Sequence, residues 1–336
     1  MRKQYRMLVI TDHKTHGKGE SIYPLLKTMK NNPACAYIEV ASRGNPKNKA
    51  FFCDYTSTQI TSLKVDDDFA YQETEEQFLK ADIKAKIDDY DVVFIRIDRP
   101  VPDEFLDFIT ANIPEHRVIN RPAGIRATGS KDFLLNFPEL CPPMKLCSTL
   151  NDILEFYNLF SVVLKPLRSY GGKGIIKITE DTVWENETQY SFNEYKPILE
   201  QNLKSQGEYL AMKYLKNVDR GDKRVIVVNG KIMGATLRIP QRGSWICNLS
   251  AGGSSNFAEA DDNEIKISES ISPSIIEQGV VIFGFDTLVD DNGNRVLSEI
   301  NTLNVGGLLQ AEMHSGKPVV QDSANLIWSY ICEKII

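Results

Sequence analysis

The 336-residue sequence lacks the side-chain patterns that zinc- and thiol-dependent sites require. Its six cysteines are scattered and form no Cys-x-x-Cys pair, and its four histidines form no HxxH or HExxH pattern. These spacings do not indicate a zinc site. Scattered cysteines in a chain of this length are typical of free thiols in a reducing compartment, which predicts a cytoplasmic protein. Any metal that binds is expected to have oxygen ligands.

The sequence also lacks long apolar runs and an excess of positive charge. The first apolar run, Met7-Leu8-Val9-Ile10, is too short for a signal peptide. No stretch reaches the ~20 apolar residues of a membrane span. Lys and Arg number 39 against 45 Asp and Glu, for a net charge of −6. This balance argues against nucleic acid as the main partner.

The first part of the chain alternates between strand and helix patterns. Strands are predicted over 7–11, 92–97 and 118–120, and helices over 21–30, 73–86 and 102–111. This alternation predicts an α/β domain with a doubly wound parallel sheet. Further helices are predicted over 130–136, 151–160 and 322–333, and the polar segment 181–193 is predicted to be a loop or an excursion at a sheet edge.

A glycine-rich loop joins two strands predicted over 161–166 and 175–178. It reads Leu167-Arg168-Ser169-Tyr170-Gly171-Gly172-Lys173-Gly174. Glycines let backbone N–H groups wrap an anion, and Lys165 at the end of the first strand could add a positive charge above phosphates. The loop is not a Walker P-loop, which joins a strand to a helix and ends in Gly-Lys-Ser/Thr. The alternative from this segment alone is a mobile hairpin tip.

An acidic hairpin is predicted around Asn292-Gly293, a strong turn signal. A two-residue turn there would pair Asp286 directly with Glu299, and Asn301 would share the face of Glu299. Carboxylates at paired positions repel each other, and a divalent cation would remove that penalty. Two carboxylates and an amide oxygen are ligands that suit Mg²⁺. The alternative is an exposed polar hairpin face, which the apolar neighbours of these residues disfavour.

A second hairpin, around Asn229-Gly230, carries two arginines that could clamp a carboxylate or phosphate. Regular pairing would put Arg224 opposite Ala235 and Arg238 on the other face of the sheet. A bulge, for which Gly234 is the expected place, would bring both arginines to one face. Without the bulge, one of them is a surface residue.

The order of these motifs resembles that of the bacterial glutathione synthetases, which are ATP-grasp carboxylate–amine ligases. The motifs are Lys-Pro-Leu, Gly-Gly-x-Gly, Gly-Asp-Lys-Arg-Val, Arg-Ile-Pro, Asn-Leu-x-Ala-Gly-Gly, Gly-x-Asp and Glu-Ile-Asn. The resemblance runs from Met7 to the C-terminus and is densest over 162–301. It implies an α/β ATP-grasp fold, α+β in its ATP-binding part. Its domains would be an N-terminal substrate domain over 1–122, a central lid domain over 123–210 and a C-terminal catalytic domain over 211–336, with ATP between the last two.

The resemblance also implies roles for individual residues. The implied ATP contacts are Lys131, Lys165, Gly171, Gly172, Gly174, Met212, Lys213, Tyr214, Leu215 and Asp222. The implied acyl-phosphate residues are Arg224, Arg238 and Asn248, and the implied substrate contacts are Arg96, Asp98, Asn304, Gly306 and Gly307. Asp286, Glu299 and Asn301 would hold Mg²⁺, with Mn²⁺ as the alternative ion.

The reaction that the resemblance implies is the ATP-dependent joining of γ-glutamylcysteine to glycine through an acyl phosphate. Its partners would be ATP, a small carboxylate and a small amine, and relatives are commonly homo-oligomers. Two departures bear on the substrates: Ile246 stands where the family usually has arginine, and the loop 302–307 lacks the usual proline and hydroxyl pattern. The alternatives are a ligase of the same fold that joins other substrates, and a non-catalytic nucleotide-binding module, which the intact acidic and glycine motifs disfavour.

Overall fold

The computed structural model describes residues 3–185, 188–241, 245 and 254–335, and contains three β-sheets formed by successive parts of the chain. Among these residues, no helix has the length and apolar character needed to cross a membrane. The five cysteines in this part of the chain are unpaired.

The first sheet has the strand order β4-β3-β2-β1-β5-β6. Its strands are β1 (Tyr5–Thr11), β2 (Cys35–Ser42), β3 (Gln59–Lys64), β4 (Ile83–Lys86), β5 (Val92–Arg96) and β6 (Val118–Ile119). Its helices are α1 (Ile22–Lys30), α2 (Lys49–Phe52), α3 (Glu76–Leu79) and α4 (Asp103–Asn112). Strands β2, β1, β5 and β6 are parallel, as predicted, whereas β3 and β4 run antiparallel at one edge.

The helix predicted over 73–86 is wrong. Only α3 is helical there, and the last four residues form β4, which pairs with β3. Ile83 and Ala85 alternate with Lys84 and Lys86, which is the period of a strand with one buried face. This alternation covers only four residues. The residues before them have helix-like spacing, which extended the predicted helix over the strand.

The second sheet has the strand order β11-β10-β9-β8-β12-β7. Its strands are β7 (Met144–Cys147), β8 (Val162–Pro166), β9 (Ile176–Thr179), β10 (Thr182–Glu185), β11 (Thr188–Ser191) and β12 (Tyr209–Lys213), with helices α5 (Pro122–Gly129), α6 (Leu150–Tyr157) and α7 (Phe192–Gln206). As predicted, β8 and β9 flank the glycine loop, and β10 and β11 form an edge excursion. Gly171, Gly172 and Gly174 have positive φ angles, which other residues rarely adopt.

The third sheet has the strand order β15-β14-β13-β16-β17. Its strands are β13 (Asp222–Val228), β14 (Lys231–Ile239), β15 (Ser254–Ala258), β16 (Ile282–Val289) and β17 (Arg295–Asn301), with helices α8 (Asp262–Glu277), α9 (Leu308–Ser315) and α10 (Val319–Lys334). Helix α10 returns to the first sheet, where its apolar residues share one core with those of α1 and β1.

The three sheets follow the order of the three predicted domains, but the predicted limits do not fall between elements. The first limit, after residue 122, falls inside the first turn of α5, and the second, after residue 210, cuts β12. A division that follows the sheets ends the central part after Lys213. The division into three domains stays a prediction.

Candidate active site

Strands β16 and β17 pair Asp286 with Glu299, as predicted, but the connection between them differs from the prediction. The last pair before the turn is Val289 with Arg295, so the turn spans residues 290–294 and the predicted two-residue turn is wrong. The longer turn shifts the register by one residue. A bulge between the Thr287 pair and the Asp286 pair shifts it back.

Strands β13 and β14 contain the bulge that the arginine hairpin required. The register shifts between Ile226 and Val227, which leaves Met233 unpaired beside the predicted Gly234. As a result Arg238 pairs with Asp222. Arg224 lies two residues further along the same strand as Asp222, and both arginine side chains therefore lie on the same face of the sheet.

Asp286 is the centre of a buried charge cluster. Its carboxylate accepts hydrogen bonds of 2.7 Å from both Nε and Nη2 of Arg224, and lies 2.8 Å from Nη2 of Arg238. Arg238 also donates two bonds of 2.6 Å to Asp222. Burial alone would raise the pKa of Asp286, but the two guanidinium groups hold it below its ordinary value. Burial and the charge of Asp286 raise the pKa of Asp222 to about 6.

The three predicted metal ligands lie side by side. The amide Nδ2 of Asn301 donates to Oδ2 of Asp286 at 3.3 Å, and Glu299 faces Asp286 across the two strands. The side chain of Glu299 forms no hydrogen bond or ion pair with the residues that the structure describes. Among those residues no three His, Cys, Asp or Glu side chains form a metal cluster. The set nevertheless fits a hard divalent cation, because its third member is an amide oxygen and Glu299 has free lone pairs.

The main cleft has a volume of about 750 Å³ and gathers most of the predicted ATP and metal contacts. Lining residues that were predicted are Lys165, Met212, Lys213, Tyr214, Leu215, Asp222, Asp286 and Glu299. Lining residues that were missed are Pro142, Val163, Ile175, Val218, Trp245, Leu288 and Ser298. Strand periodicity could have identified Val163 and Leu288, which lie two residues from Lys165 and Asp286 and so share their faces.

Two buried lysines lie near Glu299. Lys165 donates to the backbone oxygen of Ser298 at 3.0 Å, and Lys131 donates to the backbone oxygen of Ser169 in the glycine loop. Burial lowers the pKa of both lysines, and Glu299 opposes that change in each case. Lys131 and the three loop glycines do not line the main cleft itself.

An aromatic group beside the main cleft was not predicted. Nζ of Lys177 lies 4.5 Å from the ring centre of Trp184, 5.1 Å from that of Tyr214 and 5.2 Å from that of Trp245. Tyr214 and Trp245 also line the cleft. No short sequence pattern could have shown this group, because its members come from distant segments.

A second cavity, of about 1060 Å³, is lined by both arginines. Its predicted members are Arg224, Arg238, Gly306 and Gly307, and its other members are Ala235, Thr236, Ser255, Asn256, Phe257, Gln310, Ala311 and His314. Both arginines bind Asp286, which lines the main cleft. The two spaces therefore meet at this charge cluster.

The remaining predicted substrate contacts lie apart from both spaces. Arg96 is buried and its Nη2 donates to the backbone oxygen of Val305 at 2.9 Å, while Asn304 donates to Asp98. None of Arg96, Asp98 and Asn304 lines either cavity. The predicted catalytic Asn248 and the neighbouring Ile246 lie outside the described residues.

Comparison with known proteins identifies relatives over most of the chain. The family model for the prokaryotic glutathione synthetase ATP-grasp domain matches residues 130–316. A glutathione synthetase of Prochlorococcus marinus is 30% identical over 239 residues, which cover 69% of this chain and 72% of that protein. A glutathione synthetase of Rhodopseudomonas palustris is 27% identical over 325 residues, which cover 94% and 93%.

Solved structures support the same fold. D-cycloserine synthetase DcsG superposes with a TM-score of 0.61 at 13% identity, over 98% of this chain and 100% of that one. A D-alanine–D-alanine ligase from Coxiella burnetii superposes with a TM-score of 0.58 at 11% identity, over 100% and 94%. At these identities the similarity shows the fold alone, and it confirms the predicted α/β ATP-grasp fold.

Proposed function

Because the chain belongs to the prokaryotic glutathione synthetase family of ATP-grasp ligases, we propose that it joins γ-glutamylcysteine to glycine in the cytoplasm. The chain is an ATP-dependent carboxylate–amine ligase. The observation that carries the proposal is the meeting of two spaces at one charge cluster: the main cleft, suited to ATP, and the second cavity, suited to a carboxylate substrate.

The proposed reaction has two steps. An oxygen of the substrate carboxylate attacks the γ-phosphorus of ATP, the bond to ADP breaks, and an acyl phosphate forms. The amine nitrogen then attacks the acyl carbon, phosphate leaves with the electron pair of the broken C–O bond, and the nitrogen loses a proton. No enzyme nucleophile is needed, so catalysis depends on positioning and on stabilisation of charge.

The chain's own cations supply that stabilisation. Lys131 and Lys165 are proposed to neutralise phosphate oxygens, and Arg224 and Arg238 to hold the oxyanions of the acyl phosphate. In the described contacts each arginine bonds to carboxylates through Nε and Nη2. The Nη1 donors of both arginines have no partner among the described residues, and we propose that they bind the substrate. Asn248, by resemblance to the family, is proposed to act at the same place.

Members of this family use a divalent cation with ATP, and we propose Mg²⁺, with Mn²⁺ as the alternative. Asp286, Glu299 and Asn301 are the proposed ligands. When bound, the cation would offset the negative charge of the ATP phosphates. Glu299 is the strongest candidate of the three because its carboxylate is not engaged by the arginines.

The other proposed contacts with ATP follow the walls of the main cleft. Residues 212–215 would hold the adenine ring, and Asp222 would lie near the ribose. The N–H groups of Gly171, Gly172 and Gly174, in a loop with positive φ angles, would close over the phosphates. We also propose three domains, of which the central lid domain extends to Lys213, and a homo-oligomeric protein.

A second candidate is a ligase of the same class that acts on another carboxylate and amine. It is favoured by the contacts of the altered loop 302–307. Asn304 is bonded to Asp98, and Val305 accepts a bond from Arg96, so side chains predicted to hold the substrate bind the protein itself.

The test is phosphate release from ATP and Mg²⁺ across a panel of carboxylates crossed with amines. We expect release with γ-glutamylcysteine and glycine. Phosphate release with a different pair alone would favour the second candidate. If no pair releases phosphate although ATP still binds, the proposal that the chain is an active ligase for these substrates is contradicted.

The variant Glu299→Gln tests the metal assignment in the same assay. Loss of a ligand carboxylate should reduce turnover by at least ~100-fold, consistent with the cost of losing a strong charge-stabilising contact. Glu277→Gln, an exposed acid on α8, is the matched control. Normal turnover by Glu299→Gln would contradict the assignment.

A further inference from the structure

The guanidinium group of Arg99 has no part in the proposed function. It follows β5 in the N-terminal part of the chain, and its Cζ lies 3.7 Å from the ring centre of Tyr170 in the glycine loop. Its guanidinium forms no hydrogen bond or ion pair with the residues that the structure describes. A guanidinium stacked on an aromatic ring keeps its in-plane N–H donors free for a ligand.

Arg99 lines a third cavity, of about 410 Å³, between the N-terminal part of the chain and the glycine loop. Two other arginines line it, and both are paired with carboxylates. Arg168 lies 2.7 Å from Asp103, and Arg126 lies 3.2 Å from Asp103 and 2.5 Å from Asp107. The two carboxylates therefore offset Arg126 and Arg168. Among the described residues, Arg99 is the arginine of this cavity that an anion could engage without breaking an ion pair.

The third cavity borders Lys131, one of the two lysines assigned to the phosphates. Ser130 lines it, and Lys131 is the next residue. A side-chain carbon added at Gly129 would lie 3.3 Å from Nη2 of Arg99, so the helix end approaches this group closely. The charges of Lys165 and Arg99, after burial, contribute to the lowered pKa of Lys131. An anion at Arg99 would therefore lie near the proposed site of phosphoryl transfer.

We propose that Arg99 is an oxyanion-binding residue of this ligase, held in place by Tyr170. The oxyanion is either a carboxylate of the acyl substrate or the phosphoryl group in transfer. Arg99 and Tyr170 belong to different parts of the chain. The site is complete only when the glycine loop lies against the N-terminal part, which links loop closure to substrate binding. The proposal rests on the proposed function, because it assigns a contact within that reaction.

The test compares Arg99→Gln with the wild type, using the substrate pair that supports turnover. We expect kcat/KM to fall by about 10- to 100-fold, the range for a lost hydrogen bond to a charged group. A raised KM for the carboxylate substrate, with unchanged ATP affinity, identifies a carboxylate. A weaker preference for a non-hydrolysable ATP analogue over ADP, measured by calorimetry, identifies the phosphoryl group. Arg99→Lys should restore part of the loss, because lysine keeps the charge without the planar donors.

Two further variants separate binding from folding. Tyr170→Ala should reproduce part of the Arg99→Gln defect, and Tyr170→Phe, which keeps the ring, should lower kcat/KM far less than Tyr170→Ala does. Arg6→Gln, the same change at an exposed arginine on β1, is the control. All variants should keep the wild-type melting temperature.

Wild-type kcat/KM and wild-type nucleotide affinities in a folded Arg99→Gln protein would overturn the proposal. Failure of the proposed function gives a different result, because the wild type itself would then release no phosphate with γ-glutamylcysteine and glycine. In that case Arg99→Gln and the wild type are compared with another carboxylate and amine that support turnover. If no pair is active, calorimetry with the ATP analogue and with γ-glutamylcysteine replaces the kinetics, and equal affinities of Arg99→Gln and the wild type for both ligands overturn the proposal.

Discussion

At the scale of single residues, the site depends on how each buried charge is compensated. Asp286 is almost fully buried, and an unpaired carboxylate there would be strongly destabilising, yet two arginines neutralise it. Glu299, directly opposite, has no such partner among the described residues. The same pair of strands therefore holds one carboxylate that two arginines already engage and one that they do not.

His16 is a half-buried neutral side chain whose titration should affect stability. Its ring nitrogens lie 2.8 Å from Thr11 Oγ1 and 2.8 Å from Tyr23 Oη, and burial lowers its pKa from 6.5 to about 4. Because the unfolded chain binds the proton first, the stabilisation is complete above pH ~6.5 and is lost as the pH falls toward 4.

We expect the wild type to lose about 1–3 kcal/mol more of its unfolding free energy than His16→Gln between pH 7.0 and 4.5. Urea unfolding at both pH values measures this difference. Equal losses of unfolding free energy in the wild type and in His16→Gln would contradict the assignment of this pH dependence to His16.

At the scale of secondary-structure elements, both hairpins at the site are irregular. A bulge in β14 brings Arg238 to the face of Arg224, and a bulge in the β16–β17 pair restores the pairing of Asp286 with Glu299. Bulges that re-aim side chains are common next to active sites. Gly234, beside the first bulge, also lets α9 approach the sheet.

Gly234→Ala should disturb the second cavity through α9. The added carbon would lie 2.5 Å from Cβ of Ala311, so the helix that carries Gln310 and His314 must move. We expect a loss of about 1–3 kcal/mol in unfolding free energy, typical of overpacking, and a higher KM for the substrates that fill the cavity.

The double variant Gly234→Ala with Ala311→Gly should recover most of the loss, because it removes the opposing carbon. Gly17→Ala, where an added carbon meets open space, is the control for the substitution itself. A Gly234→Ala protein with wild-type stability and KM would contradict the steric argument.

At the scale of the whole molecule, the C-terminal helix completes the N-terminal core. Trp328 on α10 is buried and its Nε1 donates to the backbone oxygen of Met29 at 3.0 Å. Tyr5 Oη donates to the backbone oxygen of Ile335 at 3.0 Å. The first sheet and α10 thus share one core although they lie at opposite ends of the sequence, and residues 1–122 alone would leave that core exposed.

Trp328→Ala should lower the unfolding free energy by about 3–5 kcal/mol, the usual cost of removing a large buried ring. Trp328→Phe keeps most of the ring and should cost less. Urea unfolding followed by circular dichroism measures both. Equal stability of Trp328→Ala and the wild type would show that α10 is not part of the N-terminal core.

The sequence by itself determined the features that depend on neighbouring residues. Alternation of strand and helix predicted the parallel strands, turn residues located both hairpins, and the order of motifs led to the ATP-grasp fold. These signals are local because backbone period, turn conformation and charge are set within a few residues.

Only the tertiary structure decided how these pieces meet. The compensating bulge opposite Asp286, the meeting of the main cleft with the second cavity, the stacking of Arg99 on Tyr170 and the packing of α10 on α1 all join segments that are far apart in the chain. Such contacts depend on close packing between whole elements, which no local pattern encodes. The sequence therefore determined which groups are available to the site, and packing decided which of them face one another.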